Sequence, residues 1–266
     1  MPRPIWSGTI SFGLVSVPVR MFTATESKEL RFHFLDRRDL SPVGYDKVNR
    51  RTGESVPADD VVRGFEVEKG RYVELTDEDV DRLDVELTHA IDICDFVSIE
   101  DIDPLFFRKG YYLAPQDGAE KPYRLLVEAL EQTGRVAIAK VVIRNKQHLA
   151  CLRPLDGALV LETMYYADEV RQPEEVPRPQ VRKAEVEMAK TLVESLSADW
   201  DPKRYHDRYR GELLDLLRKK ATGAPLPEPA EEEQGEVVDL MEALRQSVEA
   251  TKRRRKPRRA ASRKAS

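Results

Sequence analysis

The stretch from Arg135 to Ala167 constrains the fold of this 266-residue chain more than any other part of it. It reads RVAIAKVVIRNKQHLACLRPLDGALVLETMYYA, in which three apolar runs are separated by the polar sequences RNKQ and PLDG. Short apolar runs rich in β-branched residues, joined by short turns, predict three consecutive antiparallel strands. The sequence does not show the alternation of strands and helices that indicates a parallel sheet, so we expect the sheet to be mainly antiparallel.

The segments around this meander predict an α+β protein. WSGTISFGLVSVPVRMF alternates between apolar and polar residues and shifts phase once, which predicts a strand with a bulge or bend near Gly13. LTDEDVDRL predicts a short helix capped by Thr76, AIDICDFVSI a strand, and YRLLVEAL a helix with one apolar face. Two amphipathic helices follow, the second expected to begin at DPKRYHDRY with Asp201 as its cap.

The composition of the chain changes after residue 223. Residues 1 to about 223 hold 34 basic and 40 acidic residues, a net charge of −6. A Pro- and Glu-rich segment at 224–236 is typical of a stiff linker, and 237–250 has the pattern of an amphipathic helix. Residues 251–266 hold nine Lys or Arg and no acid, which predicts a disordered tail. The net charge of −4 over the whole chain does not exclude a nucleic-acid partner, because phosphates respond to local charge.

The sequence lacks the motifs of the common enzyme classes. GxxxxGK, GxGxxG, HExxH and GxSxG are absent, and the four histidines are scattered. Cys94 and Cys151 are far apart and outside any CxxC spacing, so we expect no disulfide framework, no metal and no cofactor. No apolar run reaches ~18 residues and the start does not resemble a secretory signal, so a cytoplasmic location is expected.

Positive charge is concentrated in two stretches of the core. Between Gln132 and Leu155 there is no acid, and the predicted hairpin tip RNKQH carries donors that can contact phosphates. Residues 28–71 hold scattered cations among acids and turn residues. An ordinary polar turn and a solvated segment remain the alternatives for these two stretches. The candidate DNA-binding residues of the core are Arg37, Arg38, Lys47, Arg50, Arg51, Arg144 and Lys146.

The tail adds a third candidate DNA contact. Its candidate residues are Lys252, Arg253, Arg254, Arg255, Lys256, Arg258 and Arg259. Few aromatic residues lie among the cations of the chain, which favours contact with the backbone of a duplex over base stacking. A solubility or nucleoid-retention segment is the alternative for the tail.

The segment before the tail is a candidate partner-binding helix. One apolar stripe with helical spacing is formed by Val237, Leu240, Met241, Leu244 and Val248. Such a stripe either docks into a groove on another protein or folds back on its own core, and the sequence leaves both open.

Six collinear stretches of the core resemble the bacterial Ku proteins of DNA end joining. They are IWSGTISFGLVSVPVRMF, TGESV with the following DDVVRGFEVEKGRYVELTDEDVDRL, IDPLFFRKGYYLAP, KPYRLLVEAL, VAIAKVVIRNKQHLACLRPLDGALVLETMYYADEVR and AKTLVESLSADWDPKRYHDRYRGELLDLL. Together they span residues 3 to 223 in order. One departure is that GYDKVNRRTGE lacks the cysteine pair seen in some related sequences, so no metal role is carried over.

The resemblance implies a fold and a function. The implied architecture is a β-barrel core at 1–183 with an arched insertion at about 28–71, and a helical arm at 184–223 that packs across a homodimer. The implied function is that of a non-catalytic ring that threads onto a broken duplex end in DNA double-strand break repair. The implied partners are DNA ends, a second copy, and a dedicated ATP-dependent DNA ligase carrying polymerase activity. A chromatin-like protein that binds through its tail is the alternative, and an enzyme acting on nucleic acid is a third hypothesis.

Overall fold

The computed structural model describes residues 3–82, 89–144, 146–225, 242–245 and 247–249. The chain divides into two compact units, Met1–Gln172 and Pro173–Ser266. In the described residues no helix combines the length and apolar character needed to span a lipid bilayer.

Seven of the nine strands in the described part of the chain close into a barrel with the order β1-β2-β6-β9-β8-β7-β5. All neighbours in the barrel are antiparallel except β1 and β5, whose parallel pairing closes it. The α+β class and the three-strand meander are therefore confirmed, and the parallel closure is a feature that the sequence pattern did not reveal. The strands are β1 Trp6–Phe12, β2 Val15–Thr23, β3 Gly64–Glu68, β4 Arg71–Glu74, β5 Ala90–Ser98, β6 Phe107–Pro115, β7 Arg135–Ile143, β8 Lys146–Leu155 and β9 Ala158–Met164.

The expected bend near Gly13 is a complete reversal of the chain. Phe12 pairs with Val15, so Gly13 and Leu14 form a two-residue hairpin turn between β1 and β2. Gly13 has a φ of 58°, a conformation that glycine adopts without the steric cost of a Cβ. The phase shift in the sequence therefore marks two strands and not one bulged strand.

A helix covers one end of the barrel. The helix α2, Glu120–Thr133, follows β6 and buries Tyr123, Leu126, Val127 and Leu130, the apolar face that its sequence predicts. The hydroxyl of Tyr123 donates to the carbonyl of Leu113 at 2.7 Å and accepts from the N–H of Leu159 at 2.8 Å. This hydroxyl therefore joins α2 to the end of β6 and to the start of β9.

The opposite end of the barrel is where a long insertion leaves and returns. The strand β2 ends at Thr23 and β5 begins at Ala90, so residues 24–89 form one excursion that contains β3 and β4 and the region predicted as the arch. Its helix α1, Asp77–Asp81, is capped by Thr76, as predicted, and Asp79 completes a capping box. Residues 24–80 contain no buried side chain.

Within residues 173–225 the second unit contains the helices α3 Lys183–Leu196 and α4 Arg208–Thr222, and neither buries a residue. The predicted start of the second helix was wrong. Asp201 caps only a 3₁₀ turn, and Asp207 caps α4. Between them Tyr205 is extended, and its ring stacks on Trp200 with 5.2 Å between centroids. The side chain of Asp207 accepts from the N–H of Arg210, so the helical conformation of α4 begins after Asp207.

Candidate nucleic-acid interface

Positive charge gathers at the open end of the barrel, opposite α2. Arg108 and Lys109 lie at the start of β6, Arg144 follows the last residue of β7, and Lys146 begins β8. The strands β6, β9, β8 and β7 are consecutive neighbours in the antiparallel sheet, so these four positions share one end. We call these four residues the cationic rim.

Aromatic rings hold two cations of the rim. The guanidinium of Arg108 lies 5.5 Å from the centroid of the Tyr165 ring, and the ammonium of Lys109 lies 5.5 Å from that of Tyr111. Both distances are within the range of cation–π attraction. This contact orients a cation without supplying a negative charge, so the positive charge of the side chain is not cancelled.

The positive charges of the rim shift the pKa values of two nearby side chains, Tyr111 and His148. Burial raises the pKa of Tyr111, and the positive charges of Arg144 and Arg108 oppose that increase. Burial lowers the pKa of His148, Lys146 and Arg108 lower it further, and Glu169 opposes them. Arg108 therefore lies close enough to influence both Tyr111 on β6 and His148 on β8.

The rim cations have no acidic partner. Among the residues described, no carboxylate forms an ion pair with Arg108, Lys109, Arg144 or Lys146. Arg153, in the same acid-free sequence stretch, is different because it donates to both carboxylate oxygens of Glu162, at 2.9 and 3.1 Å. Cations without acidic partners keep their charge for an external anion, and phosphate oxygens are the anions that such clusters contact in nucleic acids.

The candidate residues of the insertion lie at two exposed turns. The first turn runs from Asp36 to Ser41, and there the guanidinium of Arg38 donates to the carboxylate of Asp36 at 2.5–3.1 Å. The hydrogen bond from Arg38 keeps the pKa of Asp36 below its usual value, so much of the charge of Arg38 is neutralised within the turn. Arg37 is exposed in the same turn and has no ion pair with any described residue.

The second turn lies between Lys47 and Val56, where the N–H of Val56 donates to the carbonyl of Lys47 at 2.8 Å. The side-chain oxygen of Asn49 accepts from the N–H groups of Arg51 and Thr52, and this bonding fixes the turn. Lys47, Arg50 and Arg51 are exposed, and within the part of the chain that the structure describes they form no ion pair. Four of the five insertion candidates therefore present an uncompensated charge.

Comparison with known proteins identifies the family. The sequence model of the Ku70/Ku80 beta-barrel domain matches residues 11–189. The chain belongs to the Ku family. It is 46% identical over 258 residues to the non-homologous end joining protein Ku of Symbiobacterium thermophilum, an alignment that covers 95% of this chain and 64% of that protein.

Two further relatives with the same name cover most of both chains. The Ku protein of Desulfitobacterium hafniense is 43% identical over 249 residues, which are 93% of this chain and 87% of the relative. That of Bacillus subtilis is 40% identical over 258 residues, which are 94% of this chain and 82% of the relative. Ku proteins are non-catalytic, in agreement with the expectation that this chain is not an enzyme.

Sequence reasoning missed half of the cationic rim of this Ku chain. Arg108 and Lys109 were not among the candidates, although two adjacent cations in FFRKGYY, between aromatic pairs, were visible. What the sequence could not show is that β9 pairs with both β6 and β8. That pairing brings residues 108 and 109 to the same end as residues 144 and 146.

The C-terminal candidates of this Ku chain are only partly described. The seven tail cations and Val237, Leu240 and Met241 lie outside the described residues. Residues 242–245 and 247–249 are helical, with Leu244 half-buried and Val248 buried. Since burial is measured on this chain alone, Val248 is covered by its own chain.

Proposed function

We propose that this Ku chain binds the ends of double-stranded DNA without sequence preference, as a homodimeric ring that protects the ends in non-homologous end joining. The observation that carries the proposal is the cationic rim, which lies at the end of the barrel where the insertion leaves and returns. The names of the relatives, each a non-homologous end joining protein Ku, support the same function. The corresponding location is the cytoplasm, at the bacterial nucleoid.

The chemistry of the rim suits contact with the DNA backbone. Arg108 and Lys109 lie at the start of a strand, and Arg144 and Lys146 lie at a hairpin tip. All four therefore present their charges from the ends of barrel strands. Base readout requires a helix or ribbon that enters a groove and presents side chains to base edges. Phosphate contacts fix position and carry no sequence information, as an end-binding protein requires.

The homodimer is supported by apolar side chains that one chain leaves exposed. Residues 24–80 contain no buried side chain, and five aromatic residues of this insertion are 64–81% exposed in the single chain. They are Phe32, Phe34, Tyr45, Phe65 and Tyr72. An isolated segment of this composition gains stability by burying these rings against another surface, and a second copy supplies that surface in a ring.

Tryptophan fluorescence tests whether the helical arm takes part in the dimer. The chain has two tryptophans, of which Trp6 is 8% exposed and Trp200, on the arm, is 76% exposed. We expect acrylamide quenching of Trp200 to fall as protein concentration rises through the dimer dissociation constant. A Trp200→Phe variant reports Trp6 alone and serves as the control. Quenching that stays constant while sedimentation shows dimer formation would place Trp200 outside the interface.

Recruitment of an ATP-dependent DNA ligase is the second part of the proposal. The apolar stripe that includes Leu240 and Leu244 is the proposed docking element, and the covered position of Val248 limits the surface it offers. Replacing Leu240 and Leu244 with Asp should weaken stimulation of the ligase while end binding persists. Gln246→Asp, on the opposite face of the predicted helix, should leave stimulation unchanged. Stimulation that survives the double substitution would exclude the stripe as the docking element.

Competition between two forms of one DNA tests end binding directly. A preformed ring enters a duplex only at an end, so linear duplex should compete strongly for the protein and covalently closed circular duplex weakly. Equal competition by the circle would instead favour a chromatin-like protein that binds along DNA through its basic tail.

A further inference from the structure

Next to the cationic rim lies one histidine, a side chain whose charge can change within the physiological pH range. His148 lies on β8, two residues from Lys146, so the two side chains point to the same face of the strand. Ala150 and Leu152 continue that face into the buried core of the barrel. His148 is therefore held at the boundary between the core and the rim, where it is half-buried.

The groups that act on His148 come from its own strand and from three other parts of the barrel. Lys146 is on its own strand, and Arg108 comes from β6. Val141 is its apolar partner on β7, and Glu169, which follows β9, is the one carboxylate that acts on it among the residues described. Two cations and an apolar neighbour thus oppose a charge on the imidazole, and one acid favours it.

A phosphate at the rim reverses this balance. An anion opposite Lys146 and Arg108 compensates their repulsion and attracts the imidazolium. We propose that His148 is an additional phosphate-contacting residue of the rim, and that it takes up a proton when DNA binds. The inference rests on the proposed function, because the phosphate is that of the bound duplex.

The consequence is an affinity that depends on pH between 6 and 8. Burial and the charges of Lys146 and Arg108 lower the pKa of His148, so the free protein favours the neutral imidazole. Lowering the pH reduces the free energy needed to protonate the imidazole in the complex, so binding tightens. One linked proton changes the dissociation constant by at most about tenfold per pH unit. Carboxylates with ordinary pKa values near 4 do not titrate in this window.

Binding of a linear duplex at fixed ionic strength, at pH 6.0 and 8.0, tests the proposal. For the wild-type chain we expect a dissociation constant about 3- to 10-fold lower at pH 6.0. His148→Asn should reduce the difference to less than about twofold, because it removes the titrating group. His206→Asn, which removes an exposed imidazole of the second unit, should retain the wild-type dependence.

A measurement on the wild-type chain covers the case in which a variant does not fold. In NMR titrations the pKa of the His148 imidazole should rise when duplex is added. An unchanged imidazole pKa, or equal pH dependence in His148→Asn and the wild type, would overturn the inference. Absence of duplex binding by the wild type at both pH values would refute the proposed function instead, so the two failures are distinguishable.

Discussion

Removal of charge from the hairpin tip tests the cationic rim most directly. The double variant Arg144→Gln, Lys146→Gln removes two cations that have no acidic partner among the described residues and leaves the strands β7 and β8 intact. Each phosphate contact contributes about 0.9 to the slope of log affinity against log salt concentration. If both residues contact phosphates, the slope falls by about 1.8 for one chain and by about 3.6 for two copies in a ring.

The same reasoning gives the loss of affinity. If the electrostatic contribution of a contact vanishes at 1 M salt, a slope of 0.9 makes the affinity about fivefold higher at 0.15 M salt. This is about 1 kcal/mol of binding free energy per contact. Two contacts therefore predict about a 30-fold loss per chain, and four contacts a loss on the order of 10³-fold. Fluorescence anisotropy of a labelled linear duplex, measured from 0.1 to 0.4 M salt, gives both the slope and the affinity.

A matched variant separates a local contact from an effect of net charge. Lys121→Gln with Arg124→Gln removes the same charge from α2, at the end of the barrel opposite the rim. We expect its slope to remain within about half a unit of the wild type. If both double variants lose the same affinity, the rim acts only through net charge. If the variant at 144 and 146 loses none, the rim does not contact DNA.

Three further predictions concern packing, thiol chemistry and the tail. Tyr123→Phe leaves two buried backbone groups without a partner and should lower the free energy of unfolding by about 2–4 kcal/mol in urea denaturation. Tyr112→Phe, at an exposed position, should lower it by less than ~0.5 kcal/mol, and equal effects would contradict the role of the Tyr123 hydroxyl. Burial raises the pKa of Cys151 to about 12, whereas Cys94 is exposed. Iodoacetamide at pH 8 should therefore add one group to each native chain and two to each unfolded chain, as measured by mass spectrometry. Modification of a native Cys94→Ser variant would show that Cys151 is accessible. A chain that ends at Ala250 should still bind linear duplex, with a shallower salt slope, and complete loss of end binding would make the tail the primary site.

Elements that local sequence determines were predicted well. The four buried residues of α2, including Tyr123 and Leu130, follow from the helical period of apolar residues. The N-cap of α1 at Thr76 follows from a capping residue placed directly before a run of acids. Each of these features depends on residues within one or two turns of each other, so their signal lies in one short stretch of sequence.

Features that depend on distant pairing were not predictable from one sequence. The parallel pairing of Ile10 with Ile91 closes the barrel across 81 positions, and no local pattern encodes it. The Gly13 turn was predicted as a bend, because a phase shift in a period-two pattern has the same appearance in a bulge and in a two-residue hairpin. The start of α4 was predicted too early because Asp201 and Asp207 are both suitable caps.

The way in which rim cations are held explains why they suit a DNA backbone. A long cationic side chain is usually oriented by a carboxylate, as Arg153 is by Glu162, but that contact neutralises the charge. Arg108 and Lys109 lie instead over aromatic rings, which restrict the side chains through their π faces and leave the net charge unchanged. Restricting the side chains before binding lowers the entropy lost when a phosphate is contacted. A surface built in this way attracts any phosphate backbone and gains no sequence preference. In the proposed ring, specificity for ends therefore comes from enclosure of the duplex and not from the contacts themselves.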